Sequence, residues 1–144
     1  MNFDECIKKG NIVKIKPDKE LAILELKEAK YDLNSAKEDF EKEDWKWATD
    51  KAYYSMFHAA RALLICKGYK EIKSHACVIE GIRELFVKAG ELDMKFLDYI
   101  EQGKKRREDA IYESNYSQHI AETYIEVAED FIKEVKRLIN RACT

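Results

Sequence analysis

One proline and five glycines in 144 residues are too few for the many tight turns of a sandwich or barrel. An excess of either charge is also missing: 26 Lys and Arg face 28 Asp and Glu, a formal net charge of −2. A generic nucleic-acid binder carries a basic surplus, so any such contact must come from a local patch or from an assembly that concentrates one. Cysteine is scarce and dispersed. Cys6, Cys66, Cys77 and Cys143 form no Cys-x-x-Cys pair, which excludes the usual zinc sites. The expectation is buried, reduced thiols. The opening residues, MNFDECIKKG, lack the apolar stretch of a signal peptide. The longest apolar run, residues 52–66, is too short to span a bilayer and is broken by Ser55, His58 and Arg61. The chain therefore reads as soluble and cytoplasmic, with no membrane role.

Signatures of common chemistry are absent as well. His58, His75 and His119 are scattered, and neither Glu-x-x-His nor His-Glu-x-x-His occurs, so no metal and no cofactor are expected. There is no glycine-rich phosphate cradle and no Gly-x-Ser-x-Gly nucleophile elbow. Internal repeats and low-complexity linkers are missing too.

What remains is helix. Apolar residues make up 46% of the chain and charged residues 38%, the balance of solvated helices around one core. The stretch Lys51–Cys66, KAYYSMFHAARALLIC, is apolar almost all round, so other helices must enclose it. Its polar residues Lys51, Ser55, His58 and Arg61 are spaced four, three and three, which makes one narrow stripe.

Residues 1–16 carry no helical period and read as an N-terminal arm, with Ile12, Val13 and Ile15 able to dock in extended form. Residues 17–144 read as a single domain. Pro17 suits the first turn of a helix, and Ala22, Leu26, Ala29, Leu33, Ala36 and Phe40 form its seam. Asp44 can cap a second helix that Gly68 stops; Trp45 and Trp47 read as edge-of-core anchors. Tyr69–Lys73 reads as a loop, Ser74 as the cap of a third helix, and His75 lies in that helix's first turn. A fourth helix starts near Leu92 or Asp93, and a fifth begins at Ser117. The expected fold is all-α, a five-helix, mainly up-and-down antiparallel bundle.

On the fourth helix, Phe96, Ile100, Gly103 and Arg107 share a face, so Arg107 points inwards or into a groove. An inward arginine needs partners: either a core carboxylate, or a phosphate that matches its donor fork. Arg107 ends the only dense basic cluster, Lys104, Lys105, Arg106 and Arg107, just before the polar, aromatic segment Tyr112–Tyr116. Basic and aromatic residues together can hold a phosphate and stack a base, which makes Lys104, Arg106 and Tyr116 candidate nucleotide or RNA contacts.

Three stretches, AYYSMFHAARALL (52–64), SHACVIEGI (74–82) and RREDAIY (106–112), together resemble the small standalone branch of the HEPN superfamily (higher eukaryotes and prokaryotes nucleotide-binding). The resemblance spans roughly residues 18–140. It implies a five-helix bundle that forms homodimers and pairs with a minimal nucleotidyltransferase, often as a toxin–antitoxin system. Many members are metal-independent ribonucleases that use an arginine followed a few residues later by a histidine. On that pattern Arg107 takes the arginine position, and the histidine position falls on Tyr112, or on Glu113 or Ser114 at the longer spacings, none of them histidine. Arg107 and Tyr112 are the candidate catalytic pair. His58 becomes a supporting groove residue, and Tyr112 and Tyr116 are candidates for modification by a partner. The absent histidine weakens the case for in-line cleavage, which needs a group that exchanges a proton near neutral pH. The leading expectation is a protein that binds nucleotide or RNA and acts with a nucleotidyltransferase. The alternatives are an active ribonuclease toxin and a non-enzymatic helical interaction module.

Overall fold

A computed structural model describes residues 1–108 and 115–143. In it the chain forms α1 (Phe3–Lys8), β1 (Ile12–Lys14), α2 (Lys19–Glu41), α3 (Trp45–Cys66), β2 (Tyr69–Glu71), α4 (His75–Ile82), α5 (Met94–Glu108) and α6 (Gln118–Ala142). A π-helical turn, Arg83–Val87, continues α4. The fold is an all-α bundle with one two-stranded ribbon, in which Ile12, Val13 and Lys14 face Glu71, Lys70 and Tyr69 in antiparallel register. No described helix is long and apolar enough to cross a membrane.

The helix boundaries follow local chemistry. Asp18, Asp44, Ser74 and Ser117 each accept a backbone N–H three residues on, satisfying a donor that the first turn leaves unpaired. Pro17 stays just outside α2, because Asp18 takes the cap. Gly68 closes α3 with φ 89°, in the left-handed region that only glycine enters freely.

α3 is the centre. Fifteen of its residues are buried, and it packs on α2, α4, α5 and α6. The α2 seam and the α6 seam, Ala121 through Ile139, close over it. Contacts set the directions. Lys37 meets Glu129 and Asp39 meets Lys51, so α2 runs antiparallel to both α6 and α3. One connection departs from a simple up-and-down path. His75 lies beside Phe57 and Gly81 beside Leu64, so α4 runs parallel to α3. The β2 segment carries the chain back along α3 before α4 begins.

The N-terminal residues are more structured than an extended arm. Asn2 caps α1, and Phe3, Cys6 and Ile12 are buried. A six-residue helix is too short to show a period, which is why the sequence hides it. The thiol expectation needs correction: Cys6 and Cys77 form a disulfide that joins α1 to α4, while Cys66 and Cys143 are free and buried. Sequence spacing did not reveal this pair because it spans 71 residues and is brought together only by tertiary packing.

Gly103 sits in the middle of α5, where glycine is unfavourable by about 1 kcal/mol relative to alanine. Its place is explained by the buried Tyr53 of α3, whose ring occupies the space that a Cβ would need. Gly103→Ala should therefore lower stability, by about 1–3 kcal/mol from overpacking, despite the gain in helix propensity. Urea unfolding of the two proteins tests this; equal or greater stability in the variant would contradict the contact.

Candidate functional site

The polar stripe of α3 comes out between α2 and α5, and its two edges behave differently. On the α2 edge each cation meets a carboxylate. Lys51 Nζ lies 2.7 Å from Asp39 and bonds Ser35 at 2.9 Å. His58 Nδ1 is 2.7 Å from Glu25, its Nε2 is 3.4 Å from Asp32, and Arg61 Nε is 3.5 Å from Glu25. The bond to Glu25 holds the His58 imidazolium above its ordinary range, against the opposing effect of burial. Burial raises the Asp32 carboxyl. Burial acts in the same direction on Glu25, but His58 and Arg61 outweigh it and leave that carboxyl lowered. Ser55 is fully buried and donates to the Ala52 carbonyl.

On the α5 edge the centre is Asp50, a buried carboxylate whose side chain is only 6% exposed. Tyr116 donates to its Oδ1 at 2.9 Å, and Arg107 Nη1 lies 3.1 Å from its Oδ2. The Arg107 guanidinium lies over the Tyr54 ring, 4.4 Å from its centroid, within cation–π range. Burial, then the bond to Asp50, push the Tyr116 hydroxyl up to about 12, so it remains a donor. Arg107 thus has the buried carboxylate partner that its inward position required, yet its side chain stays 32% exposed. Asp50 engages one of the five guanidinium N–H groups. No bond to the other donors is formed among the described residues, so a ligand can still be bound there.

The other candidates divide. Lys104 is paired with Glu108 at 2.7 Å. Arg106 donates to the Asn115 carbonyl at 3.2 Å and lies over the Tyr124 ring. Tyr116 joins Arg107 at Asp50, whereas the His58 imidazole is engaged on the α2 edge. Tyr112 lies outside the described residues. Among the described residues no three His, Cys, Asp or Glu side chains are grouped to hold a metal ion.

Two features escaped the sequence. Asp50 precedes the apolar stretch by one residue; an acid four residues before Tyr54 on a buried helix was the available signal. The second is the contact of Tyr53 with His75. The Tyr53 hydroxyl lies 3.2 Å from His75 Nδ1, and the His75 ring stacks on Phe57 at 3.9 Å between centroids.

The HEPN domain model matches residues 24–138, and the chain belongs to that family. "Putative toxin MJ0605" of Methanocaldococcus jannaschii is 32% identical over 119 residues, which cover 82% of this chain and 87% of that protein. "Putative toxin MJ0142" of the same organism is 26% identical over 130 residues, covering 89% and 87%.

The two half-buried histidines predict a pH optimum for stability. His58 is raised above its ordinary 6.5, so its contribution is complete below that value and is lost as pH rises through the folded pKa. Burial lowers His75 below 6.5, so its contribution is complete above that value and is lost as pH falls through the folded pKa. Urea midpoints measured between pH 5.5 and 8 should peak around 6.5. In His58→Gln the decline on the alkaline side should disappear; if it persists unchanged, His58 is not its source.

Proposed function

We propose that this HEPN protein binds a phosphate-bearing ligand, a nucleotide or RNA, at the α5 edge of α3, with Arg107 as the principal contact. One observation carries the reading. A buried Asp50 and the Tyr54 ring fix the guanidinium at the surface, and it retains donors for an anion. A point charge on a flexible stem would not be so oriented. Lys104, Lys105 and Arg106, on the last turns of the same helix, add positive charge around it. Tyr116 holds Asp50 in place, and Tyr54 offers a ring face.

The cellular role that fits is toxin-like. Two relatives bear that word in their names, and the resemblance of the 52–64, 74–82 and 106–112 stretches points the same way. The proposal includes a homodimer and a minimal nucleotidyltransferase partner of the antitoxin kind. Exposed Leu21, Leu24 and Tyr31 along α2 favour a face that another subunit covers. Binding without cleavage is the reading preferred for this chain alone, because Tyr112 replaces the proton-exchanging histidine of the motif.

The test is binding of ATP and of a short single-stranded RNA to wild type, Arg107→Ala and Arg107→Lys, with strand cleavage followed in the same samples. Loss of a charge-assisted contact should weaken binding about tenfold or more in Arg107→Ala, and lysine should restore only part of it. Affinity unchanged in Arg107→Ala would remove the site. Wild-type cleavage that Arg107→Ala abolishes would replace this reading with a ribonuclease.

A further inference from the structure

His75 is held with more care than a surface histidine requires. It lies in the first turn of α4, half-buried, with its ring flat against Phe57. Its Nδ1 meets the hydroxyl of Tyr53, which is 2% exposed. Tyr53 can lie there only because α5 carries Gly103 at the point of contact. A mid-helix glycine, a buried phenol and an imidazole thus form one connected device. Rules of local stability are broken at such places when something else is gained.

The hydrogen bond can be assigned a direction. The Tyr53 hydroxyl makes no other hydrogen bond among the described residues, and burial raises its pKa, so it keeps its proton. If it accepted from Nδ1–H, its own hydrogen would be buried without a partner, which is costly. Donation from Tyr53 O–H to Nδ1 satisfies both groups. The proton of a neutral imidazole then resides on Nε2. Nε2 makes no hydrogen bond among the described residues, and the ring as a whole is only half-buried.

Burial disfavours the positive charge of the His75 ring. Among nearby charges Glu71 opposes this, Lys104 of α5 and Arg61 of α3 add to it, and Glu108 opposes it again. Tyr53 links the ring to Arg107: it lies 5.5 Å from Tyr54 between centroids, Arg107 covers Tyr54, and the Arg107 charge acts on the Tyr53 hydroxyl.

We propose that His75 is a second ligand-binding residue of this site, its Nε2–H donating a hydrogen bond to a phosphate oxygen of the nucleotide or RNA while Tyr53 fixes the ring. The inference rests on the ligand class proposed above and deepens it. It assigns His75 as a donor. With Nδ1 occupied by Tyr53, the open nitrogen already carries its proton, so the ring does not serve as a general base toward the ligand.

Nitrogen-15 NMR of the imidazoles, together with titrations of inorganic pyrophosphate, ATP and a ten-nucleotide RNA, tests this. Wild-type His75 should show the Nε2–H tautomer without ligand, and Tyr53→Phe should convert it to a mixture. At saturation the His75 ring signals should move. His75→Phe, which keeps the stacking on Phe57, should bind about tenfold more weakly, the worth of a hydrogen bond to a charged group. His75→Gln, which keeps a donor at similar reach, should stay within about threefold. Pyrophosphate, ATP and RNA affinities rank the source of the phosphate.

A predominant Nδ1–H tautomer in wild type, or ring signals unmoved by a saturating ligand, would overturn the assignment, and both need only the unaltered chain. Binding that falls in Arg107→Ala but not in His75→Phe would remove His75 and leave the Arg107 site standing. Failure of all three probes to bind wild type would overturn both.

Discussion

The enclosure of α3 is the constraint from which the rest of the structure follows. Its side chains from Ala48 to Cys66 are mostly hydrocarbon, and leaving them in water would cost about 1.5–3 kcal/mol for each large residue. Burial all round takes several helices. α2 and α6 supply one wall, and α4 and α5 the other. Polar groups in the enclosed part of α3 come out at the strip between α2 and α5 or are satisfied inside. Ser55 is the inside case, bonded to its own helix. Lys51, His58 and Arg61 emerge, and the buried Asp50 is satisfied from that strip by Arg107 and Tyr116.

The two edges of that strip divide the work. Along α2, cations of α3 meet carboxylates of α2 and are consumed in holding the helices together. Along α5 the charges are reversed: α3 supplies the acid, Asp50, and α5 supplies the base, Arg107. A buried carboxylate that binds one end of an arginine fixes the rest of it at the surface, and the ring of Tyr54 flattens it. Charge that would otherwise wander on a long side chain becomes part of a preorganised surface. The same economy governs Gly103, whose missing side chain admits Tyr53 and, through it, orients His75.

Much of the fold was legible in particular residues. The caps Asp44, Ser74 and Ser117, the stop at Gly68 and the four-and-three spacing of the α2 and α6 seams are local signals, read within one or two turns. Pro17, expected in the first turn, instead lies outside α2, whose cap is Asp18. The all-round apolarity of residues 52–66 correctly implied a central helix. α1 was too short to carry a period, and β1 and β2 are three residues each, recognisable only once paired. The direction of α4 was illegible because nothing in Lys67–Ser74 states how far back along α3 it returns.

For the candidate site, the sequence by itself determined that Arg107 shares a face with Ile100 and Gly103 and that it cannot be left inside without a partner. Helical geometry and the cost of a buried charge are enough for that. Only the tertiary structure decided which partner it takes, Asp50 across the bundle, and that His58 turns to α2 while His75 joins Tyr53. Those choices depend on which helices lie side by side and at what register. Contacts between residues 50 and 107, or 53 and 75, close long loops and leave no periodic trace in the chain.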